Sequence, residues 1–259
     1  MTPLTVALDT ADARVHARHV AVLATLPARL RATDAPGAEL VVVTGSRPGW
    51  PDDAAEAVRG GARGVLVAEP ATGDPGAVRA LEVTAADAGA VVVVESPVLD
   101  TTWQAALPRL RASLAGAALV HGLVAAAPDE LPAARLGLLA LARSLTGGLE
   151  EVRAGDGGWI SGRAGDVPVA LSCTPTTVGR PQLRVDVVAP GEQWRAVFDP
   201  SALATPTRIT GARADGLDGP TEHYETHLRA AWRHLAGDAP PPYTLADLAA
   251  DLELSARAS

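Results

Sequence analysis

The stretch Ala38–Pro70, AELVVVTGSRPGWPDDAAEAVRGGARGVLVAEP, decides how the chain is expected to fold. It contains two apolar runs, Leu40–Val43 and Gly64–Val67, and a helical segment from Pro51 to Arg59 separates them. Strands that are apolar at every position are buried on both faces, and parallel neighbours need a crossover between them. The stretch therefore predicts a β-α-β unit of a parallel sheet.

A second unit follows directly, because Asp74–Gly89 has apolar residues at helical spacing and Ala90–Val94 is another apolar strand. Ligands of open parallel sheets bind outside the carboxyl ends of the strands. Functional residues are therefore expected in the segments that follow the predicted strands, which are Asp9–Asp12, Thr44–Arg47, Ala68–Pro70 and Glu95–Pro97.

From Leu149 onward the pattern changes to short alternating strands, which turn sequences such as Gly155–Gly158 separate. A period of two residues indicates an antiparallel sheet with one covered face. We predict an α/β chain with a truncated Rossmann-like parallel sheet domain over residues 1–120. An α+β domain with a mostly antiparallel sheet and C-terminal helices is expected over residues 121–259.

Composition excludes several classes of function. The net charge of −8 argues against nucleic acid or an anionic membrane as a partner. The sequence has no apolar run of 18 residues and no secretion signal at its start, so a soluble, cytoplasmic protein is expected. All 22 basic residues are arginine, which removes every mechanism that needs a lysine acid, base or Schiff base.

Metal and disulfide chemistry is not expected either. Cys173 is the single cysteine, so it is interpreted as a buried structural thiol. Two histidine pairs have a spacing that permits metal binding on a helix, but neither pair has an evident third ligand. These pairs are His16 with His19 and His223 with His227.

The strand-end segments, in this order, resemble the Gfo/Idh/MocA oxidoreductases, the glucose–fructose oxidoreductase and inositol dehydrogenase type. In that family a strand and loop of the form VVVATPN precede a helix, and the motif VLVEKP follows. Here VVVTGSRPGWPDDAAEAVRGGARGVLVAEP lies along that pattern, and His223–Ser259 resembles the family's closing helices and proline turn. The resemblance implies an NAD(P)-dependent oxidoreductase fold with a second domain that often forms oligomers through its open sheet face.

The residues that carry the family's chemistry are replaced in this chain. The motif's glutamate is Ala68, and its catalytic lysine is Glu69. The helix AARLGLLALARSL lacks the family's D-x-x-x-H proton-transfer pair. Where the family has its glycine-rich phosphate loop, this chain has Asp9-Thr10-Ala11-Asp12, whose two carboxylates would repel a pyrophosphate.

A fourth difference concerns the ribose-binding segment. Between the first helix and Leu40 the chain offers only about Pro27–Ala38, which is too short for a strand, a helix and a strand. We therefore expect a β-α-β piece to be missing, and with it the acidic residue that binds the ribose hydroxyls.

These differences favour a non-catalytic structural or regulatory subunit, a pseudoenzyme that binds no cofactor. We expect it to form a homo- or hetero-oligomer through the C-terminal sheet face. The surface would be the row Leu183, Val185 and Val187 or the opposite set of side chains.

Two alternatives stay open. One is an NAD(P)-dependent oxidoreductase with an atypical site, whose candidate cofactor-binding residues are Asp9, Thr10, Thr44, Ser46 and Arg47. The other is an enzyme of changed chemistry that uses the strand-end carboxylates Glu69 and Glu95. In such a cluster one carboxylate should have a raised pKa, because like charges resist joint ionisation.

Overall fold

The computed structural model describes residues 4–8, 12–26, 30–33, 37–96, 98–99, 101–155, 157–177, 182–198, 208–213, 216–221, 227–235 and 241–257. The chain groups into two compact units. The first contains residues 1–96 and 227–252, and the second contains residues 97–226 and 253–259. The predicted domain bounds, residues 1–120 and 121–259, remain a prediction.

The first unit is a parallel sheet with helices. Its strands run in the order β2-β1-β3-β4-β5, and every neighbouring pair is parallel. The elements are β1 (Leu4–Ala7), α1 (Ala13–Leu23), β2 (Leu30–Ala32), β3 (Leu40–Thr44), α2 (Trp50–Arg59), β4 (Gly64–Ala68), α3 (Pro75–Ala88), β5 (Val91–Val94), α6 (His227–Leu235) and the part of α7 (Leu245–Arg257) up to Leu252.

The core of this unit explains why the central strands are apolar throughout. All five residues of β4 are buried. Leu66 and Ala68 belong to a cluster that also contains Val15 of α1 and Trp232 of α6. Strands covered on both faces have no polar side, as the sequence predicts for the β-α-β unit.

Strand β2 corrects one expectation from the sequence. Leu30 and Arg31 pair in parallel with Leu4 and Thr5 of β1, so a strand is present beside β1. The prediction that a β-α-β piece is missing is therefore wrong in one respect, because a strand is present there. In the sequence the strand leads through Thr33 to Asp34, which lies outside the described residues.

The second unit contains an eight-stranded sheet in the order β13-β12-β11-β10-β6-β9-β8-β7. Within the described part of this sheet only the pair of β6 and β9 is parallel, so the mostly antiparallel prediction is confirmed. The elements are α4 (Thr101–Leu114), β6 (Leu119–Ala126), α5 (Leu131–Thr146), β7 (Glu150–Gly155), β8 (Trp159–Ala164), β9 (Val167–Pro175), β10 (Gln182–Ala189), β11 (Glu192–Phe198), β12 (Arg208–Arg213) and β13 (Gly216–Thr221).

Helix α5 covers one face of this sheet and decides the role of the apolar row on β10. Leu183, Val185 and Val187 are buried. A Cβ atom on Gly137 of α5 would lie 3.4 Å from Leu183 Cδ1, so helix and strand are in close contact. This row is core, which leaves the opposite set of side chains for the predicted partner surface.

Cys173 is buried in β9, as predicted, and burial raises the pKa of its thiol. Among the described residues, no helix is both long and apolar enough to cross a membrane.

Candidate functional site

Two backbone hydrogen bonds join the loops after β3 and β4 at the carboxyl edge of the parallel sheet. The Gly45 N–H donates to the Ala68 carbonyl at 2.6 Å, and the Ala71 N–H donates to the Gly45 carbonyl at 3.3 Å. A Cβ atom on Gly45 would lie 2.9 Å from Pro70 Cα, so glycine is required for this approach. The approach fixes the backbone around Glu69.

Glu69 itself has a backbone conformation that is uncommon for its residue type. Its φ angle is 49°, in the left-handed region. Its side chain accepts a hydrogen bond from Arg14 Nη2 at 2.6 Å and forms a second ion pair with Arg18 Nη1. A non-glycine residue with positive φ persists only where the surroundings over-determine it, and such residues concentrate at functional sites.

Glu95 lies behind Glu69 and is almost fully buried, with 2% of its side chain exposed. It accepts the Glu69 backbone N–H at 3.2 Å. Its carboxylate lies 3.7 Å from Arg18 Nη2 and 3.8 Å from His19 Nε2. We call these five residues, Arg14, Arg18, His19, Glu69 and Glu95, the strand-end cluster.

The aromatic ring of Trp232 closes the buried side of the cluster. Its centroid lies 5.7 Å from the centroid of the His19 ring, and the two planes meet at 80°. Both residues are buried. Helix α6 thus brings a residue from the C-terminal part of the chain to the carboxyl edge of the first sheet.

Burial is the main influence on the pKa of Glu69. Burial raises the pKa of Glu69 above its ordinary value of 4.5, and the neighbouring Glu95 and Asp12 carboxylates raise it further. The guanidinium groups of Arg18 and Arg14 act in the opposite direction, but the pKa remains raised. This is the behaviour that the sequence predicts for one carboxylate of such a group.

An acidic side chain caps the N-terminus of α1. The Asp12 carboxylate accepts the backbone N–H groups of Arg14 at 2.9 Å and Val15 at 3.1 Å. Backbone donors of this kind bind the pyrophosphate in dinucleotide-binding folds, and here a negative side chain already satisfies two of them. The first glycine of the whole sequence is Gly37, so no glycine lets a phosphate approach the backbone at this turn.

Three of the other predicted cofactor-binding residues lie at the end of β3 and in the loop after it. Thr44 is fully buried at the end of β3, and Ser46 is exposed. Arg47 forms an ion pair with Asp53 at 2.8 Å. Asp9 and Thr10 lie outside the described residues.

The sequence identifies Glu69 and Glu95 as candidate site residues but does not identify the two arginines of the cluster, Arg14 and Arg18. Arg14 and Arg18 are four residues apart and therefore lie on one face of α1. This spacing is the signal that was available. Their partner Glu69 lies more than 50 residues along the chain, and only the fold brings them together.

No metal centre is found in the described part of the chain, where no three histidine, cysteine, aspartate or glutamate side chains are grouped to hold an ion. His223 lies outside the described residues. His19, one of the histidines with helical spacing, instead lies beside Glu95.

Comparison with known proteins gives a fold. No protein-family model matches the sequence, and no curated protein matches it. Among solved structures, GenD2 from gentamicin A biosynthesis, in complex with NAD, is 16% identical with a TM-score of 0.69. That comparison covers 100% of this chain and 93% of GenD2.

A second similar structure is the WlbA dehydrogenase from Bordetella pertussis, in complex with NADH and UDP-GlcNAcA. It is 14% identical with a TM-score of 0.70, and the comparison covers 99% of this chain and 97% of WlbA. At these identities the likeness concerns the fold. The chain therefore shares the fold of these two proteins, which agrees with the resemblance of its strand-end motifs to the Gfo/Idh/MocA oxidoreductases.

Proposed function

We propose that this protein is a Gfo/Idh/MocA-like oxidoreductase homologue that has lost dinucleotide binding and hydride transfer and acts as a structural or regulatory subunit. The observation that carries the proposal is the state of Glu69. It stands at the position of the motif's lysine, and its carboxylate is paired with Arg14 and Arg18 of α1.

The charge of the side chain at that position is reversed relative to the family's motif. A lysine there would present a cation and a transferable proton to a substrate hydroxyl. Glu69 presents a carboxylate, and guanidinium groups such as those beside it are not proton donors to a substrate. The helix AARLGLLALARSL, residues 133–145, supplies no histidine or acid in place of the family's pair.

The start of α1 supports the same conclusion about the cofactor. The Asp12 cap places a carboxylate on the donors that a pyrophosphate would need, and the two negative charges would repel each other. Loss of the phosphate site and loss of the proton donor are separate changes. Restoring the phosphate site would still leave the protein without a proton donor, and restoring the proton donor would still leave it without a phosphate site.

One observation favours an NAD(P)-dependent oxidoreductase as a second candidate. Strand β2 is present beside β1, and the sequence places Asp34 two residues after its end. In dinucleotide-binding folds an acid after this strand binds the ribose hydroxyls.

The raised pKa of Glu69 favours the other alternative, an enzyme of changed chemistry, since acid–base residues need a pKa near the working pH.

Calorimetric titration of the wild-type protein with NADH and NADPH separates the candidates. We expect no binding heat beyond dilution with either cofactor, and GenD2, which was crystallised with NAD, serves as the positive control. Saturable binding in the micromolar range would favour the second candidate and contradict the proposal.

We also propose that the protein assembles through the second unit, on the face of the eight-stranded sheet opposite α5. This face carries exposed apolar side chains at Trp159 of β8 and Val197 of β11. It also carries Asp186, which is paired with Arg184 at 2.9 Å and Arg195 at 2.7 Å. A non-obligate interface is about as apolar as the rest of a protein surface, so a face with these few apolar side chains is compatible with one.

A further inference from the structure

Two guanidinium groups converge on one carboxylate at the carboxyl edge of the parallel sheet. Arg14 and Arg18 lie one turn apart on α1, and both bind Glu69. The Arg14 side chain is 66% exposed and that of Arg18 is 17% exposed, so the pair reaches from solvent into the protein. Guanidinium groups bind carboxylates through two parallel hydrogen bonds, so this pair is suited to an oxyanion.

The Glu69 carboxylate occupies this place under unfavourable conditions. Its backbone has the left-handed conformation, which is uncommon for a glutamate. Glu95 lies beside it, since the Glu69 N–H donates to Glu95 Oε2 at 3.2 Å. Burial and the Glu95 charge both raise the pKa of Glu69 despite the arginines, so the ionised form of Glu69 is disfavoured there.

Counting charges indicates what could replace it. Without Glu69, Arg18 Nη2 still lies 3.7 Å from the Glu95 carboxylate, and the Asp12 carboxylate caps the helix at the Arg14 backbone N–H. Among these four side chains the two positive and two negative charges then balance. One negative charge on a ligand reproduces the present state, whereas a phosphate with two charges adds repulsion from Glu95 and Asp12.

We propose that Arg14 and Arg18 form a binding site for a small-molecule carboxylate, that Glu69 is the internal occupant of this site, and that the ligand binds by displacing the Glu69 side chain. The location agrees with the proposal, since ligands of open parallel sheets bind at the carboxyl ends of the strands. The inference goes beyond the proposed function and does not depend on it, because no nucleotide takes part.

The test is binding of propionate to the wild-type protein and to Glu69→Gly, measured by thermal unfolding at constant ionic strength with chloride as the blank. Glycine adopts positive φ without strain, so this variant keeps the backbone and removes the occupant. If Glu69 fills the site about 90% of the time, its removal should tighten propionate binding about tenfold. The wild type should show weaker but saturable stabilisation.

Three further proteins make the result decisive. Glu69→Gln keeps the shape of the side chain without its charge and should also bind propionate more tightly than the wild type. Glu82→Ala, on the exposed side of α3, should bind as the wild type does. Adding Arg14→Gln and Arg18→Gln to Glu69→Gly should abolish the gain.

Three results would overturn the proposal. One is a Glu69→Gly variant that binds propionate no better than the wild type. Another is a gain that persists without the arginines. The third is a wild-type protein with no saturable response, which would make Glu69 a fixed structural residue. Tighter binding of inorganic phosphate than of propionate to Glu69→Gly would overturn the choice of ligand. None of these outcomes depends on whether NAD(P) binds.

Discussion

At the scale of single residues, Glu69 combines three properties. It has positive φ, it is paired with two arginines, and its pKa is raised above 4.5. Ion pairing alone would lower the pKa of a carboxyl group. The raised pKa therefore shows that burial and the Glu95 charge outweigh the arginines, so ionised Glu69 is costly to the folded state.

This cost makes the stability contribution of Glu69 depend on pH. Because the folded-state pKa is raised, the folded protein binds more protons than the unfolded chain between pH 4.5 and the raised pKa. The contribution of Glu69 is fully present below pH 4.5 and is lost as pH rises through the folded pKa. Urea unfolding of the wild type and Glu69→Gln from pH 4.5 to about 8 should show the wild type losing stability relative to the variant.

Glu82→Gln serves as the control for removing a carboxylate from the exposed surface. A wild-type protein that gains stability relative to Glu69→Gln as pH rises would contradict this account. It would show that the arginines dominate the electrostatics of the cluster.

At the scale of elements, helix α1 supplies the cations that hold the carboxyl edge of the sheet. Arg14 and Arg18 are alike in type and partner but differ in burial, with 66% and 17% of their side chains exposed. Exposed ion pairs stabilise proteins little, whereas loss of one partner from a buried group leaves an uncompensated charge. The helix therefore offers an internal comparison.

Arg18→Gln should lower the free energy of unfolding by about 3 kcal/mol, because it leaves Glu69 and Glu95 side by side without their shared cation. Arg14→Gln should cost less than about 1 kcal/mol, since that side chain is mostly in water. Urea unfolding of both variants at neutral pH measures the difference. Equal losses would show that burial does not set the strength of these pairs.

The elements also show what the sequence could and could not predict. Strands β3, β4 and β5 were predicted because they are apolar at consecutive positions. Strand β2 was missed because it has three residues and only Leu30 is buried, which leaves no periodic pattern. The strand-end carboxylates followed from the β-α-β order, but their arginines did not, since pairing across more than 50 residues depends on how α1 packs.

At the scale of the whole molecule, the second unit carries the predicted partner surface. Apolar residues that cannot reach a core remain exposed unless another chain covers them. Val197 of β11 is 39% exposed and lies on the face opposite α5. Its neighbours along the strand, Trp194, Ala196 and Phe198, are buried.

Sedimentation should therefore show the wild type as an oligomer, and Val197→Asp should shift it toward the monomer without loss of fold. A charge buried in an interface without a partner is costly, so the change should weaken association at least about tenfold. Val83→Asp, at a 61% exposed position on α3 of the first unit, is the control and should not change the assembly. A wild type that sediments as a monomer would contradict the assembly proposal.

The central claim concerns the cofactor, and thermal unfolding of the wild-type protein with NAD(H) and NADP(H) tests it most directly. A cofactor present at 100 times its dissociation constant would stabilise the folded state by about 2.7 kcal/mol. We predict no shift with any of the four nucleotides, because the Asp12 cap and Glu69 replace the groups that would bind and use them. A saturable rise in melting temperature would contradict the account and return the chain to the dehydrogenases.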